Sequence, residues 1–393
     1  MPIALYALAL AALSIGTAEF IIAGLLPALS SDLAVSIPTA GLLVSGYALC
    51  VAVGGPLFAL LTGRFRRKQM IVGLMGLFAL GQGLCALAPS YGWLLAARMV
   101  VACGHGVFFG VASVAAGQLV PPERRGAALA LVLAGVPVAI LIGVPAGTII
   151  GNAFGWRAAF WAIGGLALIA ALANALLLPA DEVGSGTSGS MLGDLRALGR
   201  QQVYLSYLGI FFVTGGALAV TTFQVPLLTG VTGIGAGLVP LYLTLIGVGA
   251  IAGILAGGWL ADWKLMPSLL AILALGAIVY ALMFFTQHEP VSMAVTMMAA
   301  SACGYAFSTP LQTRIIVGSK DAPKLAATLI ATAFNFGYAA GASAGAALLS
   351  HGGGYQYLSL IGMGGSAVAT AVVGVSWWLE GRAGRAGNAT QGH

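Results

Sequence analysis

Glu19 is the residue of this sequence with the plainest chemistry, because it stands inside an apolar run, 3–29, with Ile15 before it and Phe20 to Leu26 after it. About twenty apolar residues cross the hydrocarbon core of a bilayer, so the run predicts a membrane-spanning helix with a carboxyl group well inside it. An ionisable group at that depth costs at least about 3 kcal/mol unless it is paired, protonated or facing water. The chemistry open to it is uptake of a proton, or contact with a cation, in a polar cavity; the plainer alternative is a Glu at a helix cap or interface. Arg98, in the run 93–119, is a second charge inside an apolar stretch. It lies about five residues, roughly 8 Å, from the outer end of its helix, against about ten residues, roughly 15 Å, for Glu19. Long side chains bridge such an offset, which makes the two a candidate proton-coupling pair. The alternative is an Arg98 that satisfies helix-end carbonyls of its neighbours.

Other residue types suit binding rather than proton transfer. His105, between Gly104 and Gly106, is the one histidine well inside an apolar run, and imidazole titrates near neutral pH. Packing is its stronger reading, and it is retained as a cavity candidate. The run 204–228 offers Phe211, Phe212, Thr214 and Gln224; the run 291–316 offers Met293, Met297, Met298, Tyr305 and Gln312; Asn335 lies in a later run. Methionine and aromatic side chains suit a permissive apolar pocket with few polar anchors. Phe212, Gln224, Met297, Tyr305 and Asn335 are taken as cavity candidates with His105.

These residues need helices to position them. Of 393 residues 60% are hydrophobic and 7% charged, with a mean hydropathy of +1.02, whereas charged residues make up about a quarter of soluble globules. The chain reads as an all-α polytopic membrane protein. Apolar stretches recur at 3–29, 39–61, 70–87, 93–119, 127–152 and 158–178, and after a polar break at 204–228, 238–260, 267–285, 291–316, 325–350 and 357–379. They are too long and too uniformly apolar for barrel strands, so twelve transmembrane helices are predicted. No basic segment precedes the first run and no small-residue cleavage site follows it, so helix one is expected to be retained.

Of the 16 basic residues all but Arg98 and Arg157 land on one side, in loops or at helix ends, when both termini are cytoplasmic, as positive charge should. The basic pI of about 9.3 is therefore a topology signal and not a nucleic-acid footprint. The stretch 179–203, with Gly-Ser-Gly-Thr-Ser-Gly at 184–189, reads as a flexible cytoplasmic linker. It separates an N-terminal six-helix half, 1–178, from a C-terminal half, 204–379, followed by a cytoplasmic tail, 380–393. The halves read as weak copies: Gly54-Gly55 through Arg64 has a counterpart at Gly257-Gly258 through Lys264. Cys50, Cys85, Cys103 and Cys303 lie in apolar runs without metal-ligand spacing. No phosphate-cradling Gly-Lys-Ser/Thr loop is present, which argues against ATP drive. No catalytic constellation is visible, so an enzyme is not expected, and neither cofactor nor metal is implied.

Helix five carries Gly135-Val136-Pro137 and then Gly143-Val144-Pro145-Ala146-Gly147, with Gly151 beyond. Glycines four apart let a neighbouring helix backbone approach, and the prolines remove helix hydrogen bonds and permit a bend. Similar spacing recurs at Gly249, Gly253 and Gly257, and at Gly337, Gly341 and Gly345.

With Gly16-Thr17-Ala18-Glu19-Phe20 and Gly24-Leu25-Leu26-Pro27 in helix one, Thr62-Gly63-Arg64-Phe65-Arg66-Arg67-Lys68 after helix two, Arg98 with Gly104 and Gly106 in helix four, and the helix-five series ending at Gly155-Trp156-Arg157, the chain resembles the major facilitator superfamily. The likeness is to its twelve-helix drug:proton antiporters, near the chloramphenicol-resistance and sugar-efflux permeases, and covers nearly the whole chain. The resemblance implies two six-helix halves around a central cavity lined by helices one, four, seven and ten, so that Glu19 and Arg98 face it together. It also implies gating by Arg64 and Arg67 and by Asp262 of the second half, and packing of the helix-five face of Gly135, Pro137, Gly143, Pro145 and Gly147 on helix eight. Gly63 stands where the family usually has Asp, which shifts a closing charge contact towards Asp262. The implied function is export of a small, partly apolar compound, such as chloramphenicol, in exchange for protons by alternating access. A sugar or sugar-derivative efflux permease is the alternative. The expected partners are the small-molecule substrate, protons and the lipid bilayer, with no nucleic acid. A monomer in a bacterial-type inner membrane is the expected state.

Overall fold

In a bilayer the backbone finds no water to bond with, so each crossing segment must satisfy its own peptide groups, and helices do this locally. The computed structural model describes residues 1–62, 66–179, 201–319 and 323–390, and among these every regular element is helical. Arg64 and nearly all of the expected linker lie outside the described residues. The first half holds α1 (Ile3–Asp32), α2 (Ile37–Thr62), α3 (Arg67–Ala86), α4 (Tyr91–Gln118), α5 (Pro122–Phe154) and α6 (Trp156–Leu177). The second holds α7 (Gln201–Thr222, continued after a break at Phe223 as Gln224–Gly230), then α8 and α9 within Val239–Thr286. It ends with α10 (Pro290–Gly318), α11 (Pro323–Ser350) and α12 (Leu358–Thr390).

Ten stretches among the described residues are long and apolar enough to cross a membrane, short of the twelve expected. The difference has two physical sources. Ala236–Thr286 is a 51-residue stretch with a non-helical Lys264 (φ −151°, ψ 92°) in its middle, where α8 gives way to α9. A straight helix would hold Gly257 and Gly276 roughly 28 Å apart, yet both pack on α10, against Ala306 and Cys303, so the chain folds back at Lys264. Pro323–Ser350 is not among the ten, but its 28 residues form a full helix that packs between α2 and α7. The expected tail is helical too, since α12 runs on to Thr390.

Lipid tails are as apolar as the side chains, so packing rests on close backbone approach and buried polar contacts. In α8 a Cβ on Gly249, Gly253 or Gly257 would collide with the backbone oxygens of Met298, Ala302 and Ala306 of α10. Asn174 of α6, fully buried, donates to the Ala7 carbonyl of α1 at 3.0 Å.

Helix α5 is interrupted. After Arg125–Leu133 and Gly135–Val138 it widens into a π-helical turn at Ala139–Gly143, closed by the Val144 N–H on the Ala139 carbonyl, and resumes as Val144–Phe154. Pro145 offers no N–H, and the wider turn accommodates that loss. The glycine face of α5 does not meet helix eight as expected. Gly135 packs on Ala9 and Ala12, Gly143 on Thr17, Gly147 on Ile21 and Gly151 on Leu25, all in α1 of the same half. The α8 side of α5 is closest at the π turn, where Ile140 and Leu141 meet Gly247, and the segments on either side of the turn also touch the Val239–Thr286 stretch.

Candidate functional site

Helix α1 is the most buried of the crossing stretches, and it places Glu19 between Ala18, which is fully buried, and Phe20, which reaches a large cavity. The Glu19 side chain is half-buried, and among the described residues it has no hydrogen bond and no ion pair within 4.0 Å. Arg98 and three tyrosines, Tyr47 of α2, Tyr305 of α10 and Tyr338 of α11, lie close enough for an ionised Glu19 to interact with them. Phe20 meets the Tyr338 ring edge-on at 6.2 Å, so this segment of α1 faces the other half of the molecule.

Arg98 differs from the paired arrangement expected for it. It is 1% exposed, and its Nη1 donates at 3.1 Å to the Ala18 carbonyl, one residue short of Glu19. The guanidinium carbon lies 4.6 Å above the centre of the Tyr47 ring, a cation–π distance. Nε and Nη2 have no hydrogen-bond partner among the described residues. Backbone satisfaction, the plainer alternative, is therefore present, with two donors left over beside an unpaired carboxyl. Unmade bonds of a buried charged group carry a penalty of several kcal/mol, a standing drive towards an acceptor.

His105 does not line the cavity. It is buried at 6% exposure, its Nδ1 lies 3.0 Å from the Tyr47 hydroxyl, and its ring meets Phe109 edge-on at 5.4 Å. It fixes the tyrosine beneath Arg98.

The cavity, about 910 Å³, lies between the halves. It runs from Val144, Leu243 and Met283 down to Ala130, Leu133, Thr313 and Ile316, near the end of the bundle at which the chain begins. At the opposite end the halves meet. The Phe223 ring, at the break in α7, is wedged between Gly41 of α2 and Gly345 of α11, and Ser343 Oγ donates to Ser45 Oγ at 3.0 Å. Of the cavity candidates Gln224, Met297 and Tyr305 line it, as does Pro137. Phe212 and Asn335 do not. On α7 the lining falls at Thr214, Ala217, Leu218, Val220, Thr221 and Gln224, one helical face, and Phe212 is turned about 200° from Thr214 into the packing around Phe211. On α11 Phe334 and Tyr338 line the cavity, and Asn335, one position round, donates to its own Ala331 carbonyl at 3.0 Å. Tyr280, Ser301, Ser308, Thr309 and Tyr338 were not singled out from the sequence, and nothing but the three-dimensional face of each helix would have found them.

At the end where the chain begins, Arg67 of α3 hydrogen-bonds to the Gln118 side chain of α4. Asp262 is exposed and has no hydrogen bond or ion pair among the described residues, so it forms no closing contact in this conformation. The charge contact of the second half lies elsewhere: Arg314 of α10 donates to Glu380 at 2.9 Å and to Ser376 at 2.7 Å, both in α12. No cluster of three metal-ligating side chains occurs among the described residues.

A family model, the Major Facilitator Superfamily, matches residues 8–324. The inner membrane transport protein YdhP of Escherichia coli (strain K12) is 36% identical over 358 residues, covering 91% of this chain and 92% of that one. The chloramphenicol resistance protein of Streptomyces lividans is 33% identical, with 89% and 90% covered. Among solved structures, an inward-facing, occupied bacterial homologue of the human lysosomal transporter Spinster superposes with a TM-score of 0.74 over 96% of both chains, at 20% identity. That last likeness is one of fold.

Proposed function

From the premise that the chain belongs to the Major Facilitator Superfamily, and is a multi-pass inner-membrane transporter and not an enzyme, we propose that it exports a small, partly apolar compound in exchange for protons. The observation that carries this reading is Glu19: among the described residues an unpaired carboxyl in the middle of a crossing helix, one position from Phe20 of the cavity lining, with two idle Arg98 donors nearby. A carboxyl so placed alternates between a protonated state, cheap in a low-dielectric site, and an ionised state that Arg98 stabilises. The cavity, closed at one end by Phe223 and the Ser45–Ser343 contact, fits one conformation of an alternating-access cycle. Both termini are then cytoplasmic, the cavity faces the cytoplasm, and the chain works as a monomer. The mostly apolar lining and the likeness to a chloramphenicol resistance protein support a drug-like cargo.

The test is uphill transport in liposomes. Wild-type protein accumulates radiolabelled chloramphenicol against its gradient when a pH difference is imposed, and Glu19→Gln, equally well folded, does not. Accumulation by the variant at the wild-type level would remove Glu19 from the coupling step.

A further inference from the structure

The two sides of the cavity are chemically unlike. The first half contributes only apolar side chains, among them Phe20, Leu133, Val136, Pro137, Ile140 and Val144. All hydrogen-bonding side chains of the lining come from the second half. Some of these are already engaged: the Thr214 hydroxyl donates to the Ile210 carbonyl at 2.7 Å, and Ser301 to the Ile246 carbonyl at 2.8 Å. Gln224, Gln312, Tyr305 and Tyr338 have no hydrogen-bond partner among the described residues. Gln224 is 4% exposed, so its amide is removed from solvent and directed into this space. Among the described residues no Asp, Glu, Lys, Arg or His lines the cavity.

An anion in such a site would leave water without meeting a counter-ion in the lining, and a cation would meet only Glu19, one position from the lining residue Phe20 and in competition with its proton; either costs several kcal/mol. A molecule polar on every side would leave its groups unpaired against the apolar wall, and one apolar on every side would leave two glutamines unpaired. The volume, about 910 Å³, is that of a drug-sized site. We infer that the ligand is an uncharged, two-faced molecule: an aromatic or aliphatic face lies on α1 and α5, and hydroxyl, amide or nitro groups meet Gln224 and Gln312. The inference rests on the exporter reading above and narrows its cargo by charge and by shape. It carries a consequence for charge balance. An uncharged cargo leaving against an entering proton moves net positive charge inward, so a membrane potential, negative inside, drives the exchange at equal pH.

Three molecules on one scaffold test this. Chloramphenicol is uncharged, its parent amine lacking the dichloroacetyl group is a cation at neutral pH, and its succinate hemiester is an anion. Displacement of radiolabelled chloramphenicol from purified wild-type protein is expected to need at least about tenfold more of the amine or the hemiester than of chloramphenicol, and arabinose should not displace it. Gln312→Leu is expected to weaken chloramphenicol binding about fivefold, the loss of one hydrogen bond. The amine is the stricter competitor because Glu19 is close by. Displacement by either charged analogue within threefold of chloramphenicol overturns the inference and leaves the exporter reading standing. Unchanged affinity in a folded Gln312→Leu protein overturns the assignment of the polar wall. Lack of any chloramphenicol binding by wild type overturns the drug-exporter reading and the inference with it.

Discussion

Among the described residues the six helices before 179 and the six from 201 onward divide the chemistry between them. The first buries its charge: Arg98, Tyr47 and His105 form a chain from α4 to α2 and back that reaches the Ala18 carbonyl of α1, next to Glu19, and its cavity wall is bare of polar side chains. The second turns its amides and hydroxyls towards the cavity, and its one ion pair among the described residues, Arg314–Glu380, sits at the end of the bundle where the chain begins. The difference teaches that proton handling and cargo recognition need not share residues. They need only be close enough to act on one another, and Tyr305 and Tyr338 line the cavity within the field of Glu19.

The comparison breaks most readily at the scaffold of the first half. A Cβ on Gly135 would stand 2.7 Å from the Ala9 carbonyl oxygen, so Gly135→Leu must push α5 away from α1. A loss of about 3 kcal/mol or more is expected from such overpacking, read as poor yield or a lowered melting temperature in detergent. A well-expressed variant with wild-type melting would show that this contact does not hold the half together.

The pairing of Glu19 with Arg98 is the next largest effect. Arg98→Ala alone should reduce uphill transport about tenfold or more, and should add little to Glu19→Gln, since the partner is already gone. Because Glu19→Gln leaves no uphill transport to reduce further, the double-mutant cycle is read in thermal stability, where a coupling energy of at least about 1 kcal/mol is expected. Additive effects would mean that Arg98 serves only the Ala18 carbonyl.

The smallest effect concerns the second half. Arg314→Gln removes a contact whose Glu380 partner is one-third exposed, so the freed carboxylate hydrates and the cost is about 1 kcal/mol. Melting should fall by a few degrees with chloramphenicol affinity unchanged. A change in affinity would tie the ion pair to the cavity and blur the division drawn here.

Much of the architecture is legible in the amino-acid sequence because lipid imposes one rule on every crossing segment, a long apolar run. Glu19 and Arg98 stand out by the same rule, since charge is costly there. Faces were not legible. In a helix apolar all round nothing distinguishes the side towards lipid, a neighbour or a cavity, so Phe212 and Thr214, two positions apart, cannot be ranked from sequence. The glycines of α5 announce a close helix neighbour without naming it, and the neighbour is α1, not α8. His105 stands out by type, yet its partner Tyr47 comes from another helix and no spacing points to it.

The division of labour is tested most directly by running Glu19→Gln protein in liposomes in two modes. One is chloramphenicol counterflow, in which labelled cargo outside exchanges for unlabelled cargo inside with no pH difference. The other is accumulation driven by an imposed pH difference. If the first half handles protons and the second holds cargo, counterflow persists with an apparent affinity within about threefold of wild type, while pH-driven accumulation disappears. Loss of both modes in a folded protein would place Glu19 in cargo binding and contradict the division. Retention of both would contradict its role with protons.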